Sequence, residues 1–193
     1  MRLSIITPTI IRPSLRTACS SVSKQSFADW EHIVVLDRFL ESEQDKTLIE
    51  SLSHPQRMIV PCDYPRNNFG NGPRNRAWEF TSGDYLVYLD CDNRFIDHDA
   101  LQRIHDCLQR EPEAKVALFP ILRHGQRFFN LPPGLCQTDS ANFVLRREIA
   151  QWPDIREYTA DGIFIERLVA EYGYISFPDC APIITVPISS EGQ

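Results

Sequence analysis

The chain has 193 residues, 42% of them hydrophobic and 24% charged, which is the composition of a soluble globular protein with one sizeable core. Its net charge of −6 argues against nucleic acid as a partner, because a nucleic-acid-binding surface is normally basic, although a few arginines suffice for a nucleotide. The apolar start ends at Pro8, too early for a secretory signal, and no apolar run approaches the ~20 residues of a transmembrane helix.

Six cysteines occur without a Cys-x-x-Cys pair, and this spacing argues against a zinc site. With no secretory signal, these thiols are expected to be free in a reducing compartment. We therefore expect a cytoplasmic protein without a transmembrane segment, and peripheral contact with a membrane stays open.

In the first half of the chain, strand-like and helix-like segments alternate. The expected strands are residues 3–7, 32–36, 57–60 and 85–89. Three helices are expected: one that begins near residue 13, a second at 45–52 and a third at 72–80. This order predicts an α/β fold with a mostly parallel sheet and helices on both faces.

The second half is less regular. We expect helices at 99–110 and 161–172, strands at 116–122 and 141–145, and late edge strands at 175–177 and 183–186. The segment 131–139 is rich in turn formers, and Gln137, Thr138 and Asp139 within it are candidates for a binding loop.

Polar residues follow three of the predicted strands. Thr7, Asp37 and Asp90 each stand at a strand's carboxyl end, and in parallel sheets ligands bind beyond those ends. Asp90 and Asp92 flank Cys91, so in an extended chain the two carboxylates share one face. Such hard oxygen ligands suit Mg²⁺ or Mn²⁺ carrying a phosphate-bearing substrate.

Four sequence motifs add a family resemblance. In chain order they are Leu3-Ser-Ile-Ile-Thr-Pro-Thr9 with the later Trp30-Glu-His-Ile-Val-Val35, Pro73-Arg-Asn-Arg-Ala77, Ser82-Gly-Asp-Tyr-Leu-Val-Tyr-Leu-Asp-Cys-Asp92, and Asp161-Gly162 ahead of Leu168. Together they resemble glycosyltransferase family 2 over residues 3–172.

The resemblance implies a GT-A fold with a Rossmann-like central sheet, a nucleotide-sugar donor, a hydroxyl acceptor such as a saccharide, and inversion at the anomeric carbon. UDP is the default nucleotide and Mn²⁺ or Mg²⁺ the implied ion. The chain would be one domain, 1–193, with a nucleotide-binding half of about 1–95 and an acceptor half of about 96–193.

The same resemblance assigns roles to residues. Asp161 would be the general base that takes the acceptor's proton, and Asp90 and Asp92 would hold the metal. The remaining assignments concern the donor, and its candidate contacts are Thr7, Pro8, Thr9, Asp37, Arg74 and Asp90. Two of these roles have simpler readings, because Asp161 also suits a helix N-cap and Thr7 a strand-end cap.

Two departures from the family pattern stand out. Leu36-Asp37 replaces the two acidic residues common after the second strand, and Ala160 replaces the glutamate that usually precedes the base. A non-catalytic nucleotide-binding protein of the same fold is therefore one alternative. A sugar-phosphate nucleotidyltransferase is another, although the chain has no early Gly-rich loop for a triphosphate.

Overall fold

The computed structural model describes residues 1–63, 69–153 and 155–185. In its first half, strands and helices alternate. They are β1 Leu3–Thr9, α1 Leu15–Ser23, β2 Trp30–Leu36, α2 Glu43–Glu50, β3 Arg57–Val60, α3 Asn71–Trp78 and β4 Tyr85–Tyr88. All seven predicted elements of this half are present, with boundaries that differ by a few residues.

The second half contains shorter strands and two further α-helices. They are β5 Asn93–Phe95, α4 Ala100–Arg110, β6 Val116–Leu118, β7 Ile121–Arg123, β8 Gln126–Phe128, β9 Phe143–Arg146, α5 Ala160–Tyr172, β10 Ile175–Ser176 and β11 Ile183–Thr185. Single 3₁₀ turns precede and follow β9, at Ser140–Asn142 and Arg147–Ile149.

A seven-stranded sheet in the order β10-β6-β9-β4-β1-β2-β3 forms the centre of the fold. The four strands from the first half are parallel to one another, and β9 runs antiparallel between β4 and β6. This confirms the predicted mostly parallel sheet. The carboxyl ends of β1, β2 and β4 consequently lie side by side at one edge, where the polar residues that follow them meet.

A second sheet of four strands, in the order β5-β11-β7-β8, was not predicted. The single strand expected at 116–122 is in fact two strands, with β6 in the large sheet and β7 in the small one. Between them Pro120 has no N–H to donate to a ladder, which permits the chain to leave one sheet for the other. β5 and β8 are three residues each, too short to give a recognisable alternation.

The core lies on both faces of the large sheet because alternate residues of its strands point to opposite sides. Leu3 and Ile5 of β1 pack with Leu101 of α4 on one side, whereas Ile6 packs with Phe164 of α5 on the other. All five side chains are fully buried, and each contributes roughly 1.5–3 kcal/mol on leaving water. The parts of the chain that the structure describes include no helix with the length and apolarity required to cross a membrane.

Candidate active site

Two adjoining cavities open at the carboxyl edge of the large sheet. The larger, of about 530 Å³, is lined by the last two residues of β1, Pro8 and Thr9, and by Asp37 and Asp92, which follow β2 and β4. The smaller, of about 260 Å³, reaches the 131–142 segment and the start of α5, including Thr138, Asp139 and Asp161. Arg74 and Asp90 line both, so they stand where the two cavities meet.

Arg74 connects these cavities through a fixed set of contacts. Its Nη2 donates to Asp90 Oδ1 at 2.6 Å and to Ser140 Oγ at 3.0 Å, and its Nη1 donates to the Phe69 carbonyl at 3.1 Å. The guanidinium also lies 4.7 Å from the centre of the Trp152 ring. With only 5% of its surface exposed, Arg74 is held in one orientation and presents a positive charge to both cavities.

The turn that begins α3 permits this packing. Gly70 adopts φ +86°, a left-handed conformation that a side chain disfavours, and its carbonyl accepts the Arg74 N–H at 2.9 Å. A Cβ at Gly70 would lie 2.9 Å from Arg74 Nη1 and 3.3 Å from Pro8 Cγ. Both the backbone conformation and the close approach of Arg74 therefore favour glycine at position 70.

Asp90 and Asp92 both line the larger cavity, and they stand on either side of a turn rather than on the extended strand that the prediction assumed. Burial raises the pKa of Asp92, and the negative charge of Asp90 adds to this effect. Cys91 between them is buried among apolar side chains beside α1, and burial raises the pKa of its thiol to about 11. Cys91 packs against these apolar side chains, but it also lines the larger cavity together with the two aspartates. The expected orientation of Cys91 away from them is therefore wrong, because residues 91 and 92 form a turn, closed by the Asn93 N–H donating to the Asp90 carbonyl at 2.8 Å, and not an extended chain.

The donor set fits a divalent cation that also binds a substrate. Nowhere in the described residues do three or more His, Cys, Asp or Glu side chains form a cluster that could hold an ion unaided. Mg²⁺ and Mn²⁺, however, are commonly held by one or two carboxylates together with substrate phosphates. Asp92 suits this role best, because Arg74 and Ser140 already contact the oxygens of Asp90, and a cation would relieve the repulsion between the two aspartates.

Thr7 lies at the predicted edge but faces the interior. It is fully buried, and its hydroxyl donates to the Leu89 carbonyl at 2.7 Å. The Thr7 oxygen lies 2.9 Å from His32 Nε2, and Arg57 Nε donates to His32 Nδ1 at 2.9 Å. Burial and the charge of Arg57 hold the pKa of His32 well below its usual range, so the ring is neutral and its Nε2 carries the proton donated to Thr7.

This chain of hydrogen bonds runs from Arg57 on β3 through His32 on β2 and Thr7 on β1 to Leu89, the residue that follows β4 and precedes Asp90. It satisfies the bonding capacity of Thr7 inside the sheet, so Thr7 supports the position of Asp90 rather than lining either cavity. We therefore do not retain the predicted donor contact of Thr7. The neighbouring Pro8, Thr9 and Asp37 do line the larger cavity.

Replacing Thr7 by Val tests this interpretation. The substitution preserves shape but leaves the buried His32 N–H and Leu89 carbonyl without their partner, and we expect it to lower the free energy of unfolding by about 1–3 kcal/mol. Thr7→Ser keeps the hydroxyl and should lose only the value of one methyl group, about 1 kcal/mol. Urea unfolding followed by circular dichroism measures both, and equal losses would show that the hydroxyl contributes nothing.

Asp161 stands in the first turn of α5, and the cap residue of this helix is Thr159. The N-cap interpretation of Asp161 is thus wrong by two positions. Asp161 Oδ1 accepts the Gly162 N–H at 2.8 Å. Burial raises the pKa of Asp161 to about 6, and the charges of Asp139 and Asp90 contribute in the same direction. A carboxylate with such a pKa is ionised at neutral pH and has a greater proton affinity than an exposed aspartate.

The structure also adds residues that the sequence patterns did not single out. Phe69 and Tyr158 line both cavities and form an edge-to-face pair with 5.7 Å between ring centres, although Tyr158 is 80% exposed. Arg123 and Ser140 line the smaller cavity. All four lie at the end of an element or outside regular elements, so no hydrophobic periodicity marked them. Of the predicted binding loop, Thr138 and Asp139 line this cavity and Gln137 does not.

The comparisons with known proteins bear on the family of the chain. The glycosyl transferase family 2 model matches residues 4–169, most of the sequence. The chain belongs to this family. It is 30% identical over 95 residues to the Escherichia coli UDP-Glc:alpha-D-GlcNAc-diphosphoundecaprenol beta-1,3-glucosyltransferase WfgD. These 95 residues cover 49% of this chain and 36% of the relative.

Solved structures confirm the GT-A fold of this family 2 chain. Residues 1–349 of S. aureus TarS in complex with UDP-GlcNAc superpose with a TM-score of 0.77 at 16% identity, covering 100% of this chain and 60% of that one. A mannosyltransferase from Pyrobaculum calidifontis in complex with GDP-Man and Mn²⁺ gives 0.75 at 16% identity, covering 98% and 58%. The family 2 chain therefore spans less than two thirds of the length of each of these proteins.

Proposed function

We propose that this chain catalyses an inverting, metal-dependent transfer of a sugar from a nucleoside-diphosphate sugar to a hydroxyl group of a saccharide or other acceptor. The observation that carries the proposal is the pairing of two cavities across Arg74 and Asp90, one lined by Asp37 and Asp92 and the other by the proton-accepting Asp161. A donor in the larger cavity and an acceptor in the smaller would meet at their junction. This arrangement supports the division into a donor half and an acceptor half near residue 95.

The larger cavity has groups for each part of a nucleotide sugar. Asp37 would accept a hydrogen bond from the base or ribose, and Pro8 and Thr9 would lie along the nucleoside. Arg74 would face the diphosphate, where its buried charge is weakly screened. Asp92, with Asp90, would hold Mn²⁺ or Mg²⁺, and the ion supplies positive charge beside the departing diphosphate.

In the smaller cavity, Asp161 would accept the proton of the acceptor hydroxyl. As this proton leaves, the acceptor oxygen forms a bond to the anomeric carbon and the bond from that carbon to the diphosphate oxygen breaks on the opposite face, which inverts the configuration. The electron pair of the broken bond departs with the nucleoside diphosphate. Asp161 thus performs the only proton transfer that the reaction needs from this chain.

UDP is our default nucleotide, and the names of the similar proteins support a nucleotide-sugar donor without deciding its base. The E. coli relative is named for UDP-Glc, TarS was solved with UDP-GlcNAc, and the mannosyltransferase with GDP-Man. The last of these also contains Mn²⁺, which favours testing that ion first.

The direct test incubates the protein with Mn²⁺ and a panel of UDP-, GDP- and dTDP-sugars, and measures release of nucleoside diphosphate with and without a panel of saccharide acceptors. We expect one donor class to be consumed, with loss of the reaction in EDTA and in Asp92→Asn. Tight diphosphate binding by calorimetry without turnover of any donor would favour the non-catalytic alternative. Pyrophosphate release from a nucleoside triphosphate would favour the nucleotidyltransferase.

A further inference from the structure

Asp139 is held rigidly at the edge of the smaller cavity. It caps the 3₁₀ turn Ser140–Asn142, with its Oδ1 accepting the Ala141 N–H at 3.0 Å and its own N–H donating to Asn142 Oδ1 at 3.0 Å. Asn142 is 2% exposed, and its side-chain amide donates to the Phe119 and Phe128 carbonyls at 2.8 and 3.2 Å. The turn is therefore anchored in the interior, and the carboxylate of Asp139 has little freedom.

The second oxygen of Asp139 is bound by Arg123. Arg123 Nη2 donates to Asp139 Oδ2 at 2.5 Å, and its guanidinium lies 4.3 Å from the centre of the Phe128 ring. Burial and the charge of Asp90 raise the pKa of Asp139, while the Ala141 N–H and Arg123 oppose this rise. With a cation and a backbone N–H on its two oxygens, Asp139 has the partners of an ionised carboxylate.

The same turn reaches the other half of the site. Ser140, the next residue, accepts from Arg74 and contacts Asp90 Oδ2 at 3.3 Å. One short turn thus places Ser140 on the Arg74–Asp90 pair and Asp139 in the cavity of Asp161. The charged groups that act on Asp161 are Asp139 and Asp90, which are negative, and Arg74, which is positive.

Asp139 supplies a negative charge near Asp161 that the residue before Asp161 does not supply. The residue before Asp161 is Ala160, which brings no charge, and Ala160 is itself buried. Besides Asp161, the cavity contains two carboxylates supplied by distant segments of the chain, Asp90, which Arg74 and Ser140 contact, and Asp139. A negative charge close to a carboxylate disfavours its ionised form and so strengthens it as a base.

We propose that Asp139, fixed by Arg123 and by the turn that it caps, is a positioning residue for Asp161 that maintains a negative charge beside the base. The inference rests on the proposed function, in which Asp161 accepts the acceptor's proton. It assigns to the Asp139–Arg123 pair an adjustment of that base's proton affinity, smaller than the effect of burial, with Asp139 raising the affinity and Arg123 limiting the rise through its contact with Asp139. A role of Asp139 in capping the turn alone is the simpler alternative.

Two substitutions separate these roles because they change charge in opposite directions. Asp139→Asn retains an oxygen that can cap the Ala141 N–H but removes the negative charge, so the pKa of Asp161 should fall below its value of about 6. Arg123→Gln retains an amide donor to Asp139 but removes the cation, so the apparent pKa of the carboxylate pair should rise. Altered packing by itself predicts no such opposition of sign.

The measurement is a ¹³C NMR titration of protein labelled at the aspartate side-chain carboxyl carbon, with the Asp161 signal identified by its loss in Asp161→Asn. It requires no substrate, so it stands even if no donor is turned over. Where a donor is found, the acid limb of the pH–rate profile should move to lower pH in Asp139→Asn and to higher pH in Arg123→Gln. Asp139→Glu, which keeps the charge, should restore the position of the limb.

An unchanged Asp161 titration in Asp139→Asn, with the fold intact by circular dichroism, would overturn the inference and reduce Asp139 to a cap. Shifts of the same sign in both variants would overturn it as well. Absence of turnover with every donor and acceptor, alongside opposite shifts in the titration, would instead refute the proposed function and leave the coupling between the two carboxylates standing.

Discussion

Replacement of Asp161 by Asn should lower the turnover number by about 10²–10⁴-fold, which is the usual contribution of a general base to the rate. The amide cannot accept the acceptor's proton, yet it can still accept the Gly162 N–H that Asp161 Oδ1 now receives. Binding of UDP, measured by calorimetry with Mn²⁺, should remain within a few-fold of the unchanged protein because Asp161 lines only the smaller cavity. Activity is measured as nucleoside diphosphate release under saturating donor.

The pH dependence follows from the same carboxylate. Its pKa is raised to about 6, so the active ionised form predominates above that value and the protonated, inactive form below it. The value of kcat/KM should therefore decline as the pH falls through about 6, and this acid limb should be absent from the residual activity of Asp161→Asn. Such a limb is displaced upward from the ordinary range of aspartate, near 3.9.

Asp106→Asn supplies the matched control, since Asp106 lies on α4 with 60% of its side chain exposed and lines neither cavity. It should leave both turnover and the acid limb unchanged. If Asp161→Asn were equally harmless, another group would have to be the base and the proposed mechanism would be wrong.

The central sheet was predictable because its strands have a recognisable sequence pattern. Segments such as Tyr85–Tyr88 are buried on both faces and therefore read as continuous apolar runs, and turn formers separate them. The rule that ligands gather beyond the carboxyl ends of parallel strands then placed Asp37 and Asp90 near one another without any knowledge of contacts. Both residues do line the larger cavity.

The same reasoning could not decide which way a strand-end side chain points. Thr7 and Pro8 are adjacent, yet Thr7 is turned inward and bonded to Leu89 while Pro8 lines the larger cavity. What determines this is His32 on the neighbouring strand, whose buried ring needs a partner. Such a requirement arises only once the strands are paired in register.

The acceptor side depended on still longer-range packing. The ion pair of Arg123 with Asp139 joins β7 to a turn 16 residues further along the chain. β7 and the neighbouring β8 have three residues each, too few to show a recognisable alternation of apolar and polar residues. The apolar residues around Phe119 form one continuous stretch, so no sequence pattern indicated that the chain passes to the second sheet at Pro120. The β7–β8 hairpin that contains Arg123 was therefore not predicted. Local sequence signals cannot specify an element whose stability comes from tertiary contacts.

Arg74→Met should lower the free energy of unfolding by about 3 kcal/mol, the lower part of the range for breaking a buried ion pair, because Asp90 retains 29% of its exposure. Methionine fills much of the space beside Trp152 but leaves Asp90, Ser140 and the Phe69 carbonyl without their common donor. Donor binding should weaken together with stability, since the charge facing the proposed diphosphate is removed.

Arg76→Met is a control within the same helix. Arg76 is 34% exposed and pairs with Glu79 at the surface, and such pairs contribute about 0–1 kcal/mol. Urea unfolding should thus separate the two arginines clearly. Similar losses in both variants would mean that the Arg74 contacts contribute no more than a surface pair.

The double variant Arg74→Met with Asp90→Asn extends this test to the coupling between the residues. Each single substitution strands a charged partner in a partly buried position, whereas the double variant removes both charges. Its loss of stability should therefore be smaller than the sum of the two single losses. Additive losses would imply that Arg74 and Asp90 act independently, and the junction of the two cavities would then have no shared electrostatic anchor.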